Sequence, residues 1–276
     1  MIQSRLSEAV EPILILKEAG FRPGRNCTAQ ILNLTLNIED GFQRGNVTGA
    51  VFIDLTAAYE TLNLRLLMQK VYGVTKDIKL TNIIRNLRRF LVQFQGKRSR
   101  WRNQRNGLPQ GRVLAPTLFT IYTNDQPLPA GTSSYIYADD RAIAAQGKTF
   151  EEVEQSLSEA LAELEHYYRD NQLKPNPAKT QTCAFHLRNK QATRKLQIRW
   201  KGEPLEHCPN PKYLGVTLDR ALTYKRHCFN TKLKVSGRNN IIRIDKLELG
   251  SKTKSPQNLS TRSLPLRRRI CVPGPV

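Results

Sequence analysis

The stretch SSYIYADDRAIAA, residues 133–145, constrains this chain more than any other. Two adjacent acids, Asp139 and Asp140, interrupt a run that otherwise reads as strand. Ser134, Tyr135, Ile136 and Tyr137 are β-formers on one side, and Ala142, Ile143, Ala144 and Ala145 resume an apolar run on the other. Neighbouring carboxylates in such a segment repel each other and lose hydration. Along a flat strand they would also point to opposite faces. Both difficulties ease if the pair sits at the tight turn of a hairpin and holds a divalent cation. Mg²⁺ is the hard, oxygen-seeking ion that carboxylates recruit for phosphate chemistry. The plain alternative is a solvated Asp-Asp turn.

A second acid site lies upstream. VTGAVFIDL, residues 47–55, is the clearest buried strand, with Val51, Phe52 and Ile53 continuous and apolar and Asp54 at its C-terminal end. Strand ends open into crevices, where a lone carboxylate can serve as a ligand; Asp54 could equally cap the next helix. That helix is expected over residues 56–73, with Tyr59 in its first turns. Further helices are expected over 7–18, within 28–43 ending near Gly41, over 76–92, on Leu114, Leu118, Ile121 and Tyr122, and over 150–172, the last with Thr149 as its cap. A hairpin turning at Gly96 is expected over 90–104. The short ILIL run near the N-terminus reads as a buried helix or strand. LQIRW, KGEPLEH and KYLGVTLD read as one small antiparallel sheet within 196–219, and a basic helix follows. NGLPQG, residues 106–111, is a glycine loop in which Gly107 and Gly111 let another backbone or a base approach and Gln110 offers a neutral donor and acceptor. Arg22 and Arg25 in GFRPGR can reach phosphate from a Gly/Pro turn, or can be a basic surface turn.

The net charge of +21 points to a polyanionic partner, most simply nucleic acid. Its distribution sharpens this. Residues 188–276 hold 21 Lys and Arg against 5 Asp and Glu, whereas residues 1–187 hold 23 against 18. A nearly balanced front part is followed by a cationic grip, and the Ser/Pro/Arg-rich stretch from 250 is expected to be disordered. Five widely spaced cysteines without a C-x-x-C pair, and no signal-peptide layout or apolar run of about 20 residues, argue for reduced thiols in an intracellular protein of the nucleus or cytoplasm, without zinc or a membrane partner.

YADD together with GLPQG, GFRPGR and FIDLTAAYETL, in that family's order, resembles the reverse transcriptase of non-LTR (LINE-like, jockey-related) retrotransposons over residues 5–240. The resemblance implies an α+β fold. It is the palm of a right-handed polymerase, a β-α-β-β antiparallel sheet with helices on one face, with partial fingers and the start of a thumb. The divisions implied are 1–46 for the fingers–palm junction, 47–187 for the palm, 188–249 for the primer-grip sheet and thumb start, and 250–276 for a basic tail. The activity implied is RNA-directed DNA polymerisation with an RNA template, a DNA primer and deoxynucleoside triphosphates. Asp54, Asp139 and Asp140 would hold two Mg²⁺ ions (or Mn²⁺) about 4 Å apart. Tyr59 would exclude a 2′-hydroxyl, Gln110 and Gly111 would contact template and nucleotide, and Lys179 would protonate pyrophosphate. Tyr213 and Gly215 would grip the primer, and Arg22 and Arg25 would lie near the nucleotide.

Two residues depart from the pattern. Arg112 stands where a serine is usual and is expected to obstruct the nucleotide; Arg141 stands beside the acids and is expected to compete for them. The first fingers motifs and a preceding endonuclease are not found. The expectation is therefore a truncated copy whose activity is in doubt, the alternative being a catalytically silent nucleic-acid-binding remnant.

Overall fold

A computed structural model describes residues 2–86, 89–103, 106–108 and 113–251. One compact unit ends at Cys228, and a second begins at Phe229. The first is built on a five-stranded sheet: β1 (Val47–Ile53), β2 (Ser133–Tyr137), β3 (Asp140–Gly147), β4 (Gln181–Phe185) and β5 (Glu206–His207). The order across the sheet is β5-β4-β1-β3-β2, antiparallel except for the parallel β4–β5 edge. All seven residues of β1 are buried, because it is the central strand and both its faces are covered.

Strand alternation sorts the core in two. Val47, Val51, Ile53, Ile143 and Ala145 face one cluster, with Leu157, Leu161 and Leu164 of helix α7 (Phe150–Asp170) and Phe119 and Tyr122 of α6 (Leu114–Thr123). Ala50, Phe52, Ala142, Ala144, Cys183 and Phe185 face the other, with Leu34 and Ile38 of α2 (Cys27–Gln43) and with Tyr213 and Leu218. Helices thus lie on both faces, which corrects the expectation of one covered face. Each buried Leu or Ile contributes roughly 1.5–3 kcal/mol, so neither layer is dispensable.

Local signals explain the helix starts. The Asn26 side chain accepts from the Ala29 N–H at 2.8 Å, and Thr149 Oγ1 accepts from the Glu152 N–H at 3.2 Å with Glu151 and Glu152 in the first turn. The expected helix over 56–73 is instead two, α3 (Ala58–Thr61) and α4 (Leu64–Thr75). Asn63 between them accepts from the Arg65 and Leu66 N–H groups and caps the second. The first helix, α1, spans Ile2–Val10 rather than 7–18, because Pro12 stops it and leaves a single 3₁₀ turn at Glu11–Ile13. The ILIL run, residues 13–16, starts at the end of that turn and continues as neither helix nor strand; Leu14 is buried, while Ile13 and Leu16 are exposed. Helix α5 is shorter than expected, Ile78–Asn86, and the hairpin turning at Gly96 is present.

The sheet expected within 196–219 is divided. Arg199–Trp200 pairs with Glu203–Pro204 and Lys212–Tyr213 pairs with Val216–Thr217, while β5 joins the main sheet. Basic helix α8, Lys225–Ser251, follows, and no helix among the described residues is long and apolar enough to cross a membrane. Arg112 and the tail from 252 lie outside the described residues.

The approach of α7 to β1 yields one stability prediction. A Cβ at Gly49 would stand 2.3 Å from Val153 Cγ1 and 2.9 Å from Leu157 Cδ1. Gly49→Val is therefore expected to cost about 1–3 kcal/mol through overpacking, read as a lower urea midpoint.

His186 gives another. Its side chain is wholly buried, with its ring edge-on to Phe150 at 5.3 Å. Burial, then the charges of Arg220 and Arg188, pushes its pKa down to about 4. The folded chain thus binds fewer protons than the unfolded one between that value and about 6.5, the ordinary His pKa. Stability is present above pH 6.5 and falls as the pH drops toward 4. His186→Leu is expected to flatten that part of the Tm-against-pH curve.

Candidate active site

Asp54 follows the last residue of β1. Ile53 pairs with Arg141 as the last pair of the antiparallel β1–β3 ladder, so Asp54 and Asp140 each adjoin that pair. Alternation gives both the face that carries Phe52 and Ala142. Tyr137 pairs with Asp140, leaving Ala138 and Asp139 alone as a two-residue hairpin turn. Ala138 adopts φ +58°, the left-handed backbone that the first central position of such a turn needs.

Asp139 and Asp140 are exposed at the tip and Asp54 is half-buried. Burial, then the charges of Asp139 and Asp54, raises the Asp140 carboxyl above the usual carboxylate range. The three acids therefore share one electrostatic field. They do not form a cage: among the described residues no three His, Cys, Asp or Glu side chains stand together closely enough to hold an ion. The donor set is nonetheless all carboxylate oxygen, the chemistry of a hard cation, and a cation would relieve the repulsion among them.

The turn after α7 braces Asp54. Its N–H donates to Thr180 Oγ1 at 3.2 Å, its carbonyl accepts from the Asn176 N–H at 2.9 Å, and the Thr56 N–H donates to the Lys174 carbonyl at 2.8 Å. Lys179 is exposed on this same turn, its N–H donating to the Asn176 carbonyl.

Tyr59 stacks on Phe119, with centroids 4.5 Å apart and planes 17° from parallel. Its hydroxyl pKa is raised by burial, then by the charges of Asp139 and Glu18. The start of the glycine loop docks beside it. The Leu108 N–H donates to the Tyr59 carbonyl at 2.7 Å, and Gly107 at φ +78° leaves no room for a Cβ, which would meet the Glu60 carbonyl oxygen at 2.4 Å. Gln110 and Gly111 lie outside the described residues.

The expected phosphate-facing arginine is turned inward. Arg22 is 7% exposed and every N–H it carries is used. Nε and Nη2 donate to Glu11 Oε1 at 3.0 and 2.7 Å, Nη2 also reaches the Glu11 carbonyl, and Nη1 donates to the carbonyls of Ile15 and Glu18. Arg22 holds the chain from Glu11 to Arg22 together, and in this conformation offers nothing to a phosphate. Arg25 is half-buried, with Nη1 donating to the Leu16 carbonyl at 2.7 Å.

Tyr213 is also a packing residue. It is buried against Phe52, and its hydroxyl donates to the Tyr135 carbonyl at 3.2 Å. Gly215 at φ +90° and Leu214 at φ +45° form the tip of the adjoining hairpin. Arg141 does not compete for the acids. Its guanidinium is buried on the opposite face, with Nη1 donating to Gln126 Oε1 and Nη2 to the Pro127 carbonyl and Ser134 Oγ. Alternation along β3 sends residue 141 away from 140, which explains the difference.

One acid escaped the sequence reading. Glu18 is 1% exposed, yet its carboxylate touches the turn that carries Asp139: Oε1 accepts from the Ala138 N–H at 3.1 Å. The available signal was an acid close behind the apolar ILIL run, two residues before Gly20 and three before the Phe21-Arg22 pair.

The structure thus sets an acid just past the central strand beside a hairpin with two more acids at its tip. Residues 1–218 match the family model described as "Reverse transcriptase (RNA-dependent DNA polymerase)", and the chain belongs to that family. A relative from Drosophila melanogaster, "Probable RNA-directed DNA polymerase from transposon BS", is 31% identical over 82% of this chain and 26% of its own length. "RNA-directed DNA polymerase from mobile element jockey" from Drosophila funebris is 27% identical over 90% of this chain and 28% of its own length. The chain thus spans about a quarter of these relatives. Apo telomerase from Candida tropicalis, truncated from its C-terminal domain, superposes with a TM-score of 0.53 at 12% identity, over 81% of this chain and 44% of that one. The fold is of the reverse transcriptase and telomerase kind, mixing helices with a sheet.

Proposed function

We propose that this chain is the palm-centred part of a non-LTR retrotransposon reverse transcriptase, extending a DNA primer on an RNA template. The observation that carries the reading is the β1–β3 ladder, whose last pair, Ile53 and Arg141, adjoins Asp54 and Asp140 beside the hairpin turn. Asp54, Asp139 and Asp140 would hold Mg²⁺, or Mn²⁺ in its place. When bound, such ions lower the pKa of an attacking hydroxyl and offset charge on leaving pyrophosphate.

The chain's own residues have separate tasks. The 174–180 turn braces the Asp54 backbone and carries Lys179 as a donor for the leaving group. Tyr59, stiffened by Phe119, is the platform for the nucleotide sugar and leaves no space for a 2′-hydroxyl. Gln110 and Gly111 read template and nucleotide. Buried Tyr213 fixes a hairpin whose tip at Gly215 meets the primer through its backbone. Arg25, at the surface beside the strap, has donors left for a phosphate. The exposed cations of α8, Lys225, Arg226, Lys232, Lys234 and Arg238, suit a polyanion backbone.

A second reading, a nucleic-acid-binding remnant without catalysis, is favoured by two observations. Among the described residues the acids are not gathered into an ion-holding group, and Arg22 is spent on structure. Primer extension on an RNA template with Mg²⁺ separates the two. Template-dependent extension supports the enzyme. Tight binding that weakens steeply with salt, with no extension at any Mg²⁺ or Mn²⁺ concentration, supports the remnant.

A further inference from the structure

The segment Glu18–Arg22 runs as a strap along the outer edge of β2 and ends against the acid turn. Glu18 bridges in parallel to Ile136, and the Ala19 N–H donates to the Ile136 carbonyl at 3.0 Å. The approach is backbone to backbone, since a Cβ at Gly20 would stand 2.5 Å from the Ala138 nitrogen. Ala138 holds a left-handed φ of +58°, a conformation that residues with a Cβ adopt at a cost. As the first residue of a two-residue turn it has no ladder partner for its N–H. The Glu18 carboxylate meets that N–H at 3.1 Å and the Gly20 N–H at 2.6 Å, so one buried oxygen ties strap to turn. The other oxygen, Oε2, is buried and has no hydrogen-bond partner among the described residues. A carboxylate with half its acceptor capacity unused is a poor choice for packing alone.

We propose that Glu18 is a positioning residue for the acid site: its buried carboxyl group holds Ala138 in the left-handed turn and thereby fixes Asp139, the next residue. The proposal rests on the reading of Asp139 as a site residue, but its structural half is testable without catalysis. Glu18 acts through Ala138 and touches no reacting atom. A glutamine keeps an acceptor oxygen for both N–H groups, an alanine keeps none, and a glycine at 138 adopts positive φ without help.

The test is amide exchange on the full chain, with Mn²⁺ binding followed by EPR on the same samples, in wild type, Glu18→Gln, Glu18→Ala and Glu18→Ala combined with Ala138→Gly. Glu18→Gln is expected to match wild type in both readouts. Glu18→Ala is expected to speed exchange of the 133–143 peptide at least tenfold while the α7 peptide, 150–170, keeps its protection, and to weaken Mn²⁺ binding at least tenfold. Adding Ala138→Gly is expected to restore most of both. The proposal is overturned if the 133–143 peptide of Glu18→Ala exchanges within twofold of wild type. It is equally overturned if protection is lost evenly through α7 and glycine at 138 rescues nothing. Should Glu18→Ala alone fail to fold, the double variant decides: folded with a protected hairpin supports the proposal, unfolded overturns it. A wild-type chain that binds no Mn²⁺ sinks the metal reading of Asp139, and the exchange result then judges Glu18 by itself.

Discussion

Asparagine in place of Asp139 is expected to lower single-nucleotide incorporation on an RNA template by on the order of a thousandfold or more while leaving the fold in place. The loss is large because the proposed chemistry needs negative charge, and not merely an oxygen, where cations must sit while charge develops on the reacting groups. The fold is expected to survive because Asp139 is exposed at a hairpin tip and stands among like charges. Exposed substitutions of this kind stay within about 0.5 kcal/mol. Asp54→Asn is expected to be as damaging to incorporation, its backbone remaining braced by Thr180 and Asn176. Incorporation assayed beside thermal unfolding checks both. An Asp139→Asn chain that extends primers within tenfold of wild type would remove the hairpin acids from the chemistry.

The acids were legible because their setting is local. An acid at the end of an apolar run, and an acid pair inside a β-forming run, each announce a strand end or a turn from a few neighbouring residues. The amphipathic helix at 150–170 was legible for the same reason, its apolar stripe and its Thr149 cap being written within about 20 residues. What was not legible depends on partners distant in the chain. Arg22 read as reaching phosphate and Arg141 as competing for the acids, but one is bound by carbonyls of its own segment and the other by Gln126, Pro127 and Ser134. A guanidinium's fate is set by which carbonyls surround it, and composition carries no trace of that. At Tyr213 the turn after it was visible, but not the Phe52 ring that buries it. The break at Asn63 was missed because apolar spacing continues across it. Only the cap, satisfied from inside the helix that follows, marks the interruption.

Replacing Arg22 with methionine is expected to cost about 3 kcal/mol, a large share of the 5–15 kcal/mol that holds a typical domain together. The ion pair to Glu11 contributes the smaller part, because that carboxylate is 38% exposed and rehydrates when the guanidinium goes. The larger part comes from the Glu18 carbonyl, which loses its donor in a buried setting, and a lesser one from the Ile15 carbonyl, which keeps the Glu18 N–H at 3.2 Å. Both accept from Nη1 in a part-buried or buried setting, and methionine, though similar in length, donates nothing to either. Each buried acceptor left unpaired costs about 1–3 kcal/mol. The strap also carries Phe21 at φ +56°, a conformation with no local reason to persist once its neighbour lets go. The damage is therefore expected to start in residues 11–22 and pass to the Ala138 turn through Glu18. Arg25→Met, which removes one bond to the Leu16 carbonyl, is expected to cost under about 1 kcal/mol. Urea unfolding of the two variants side by side measures the contrast. Equal midpoints would mean that the strap is held by its backbone contacts to β2 and not by the guanidinium.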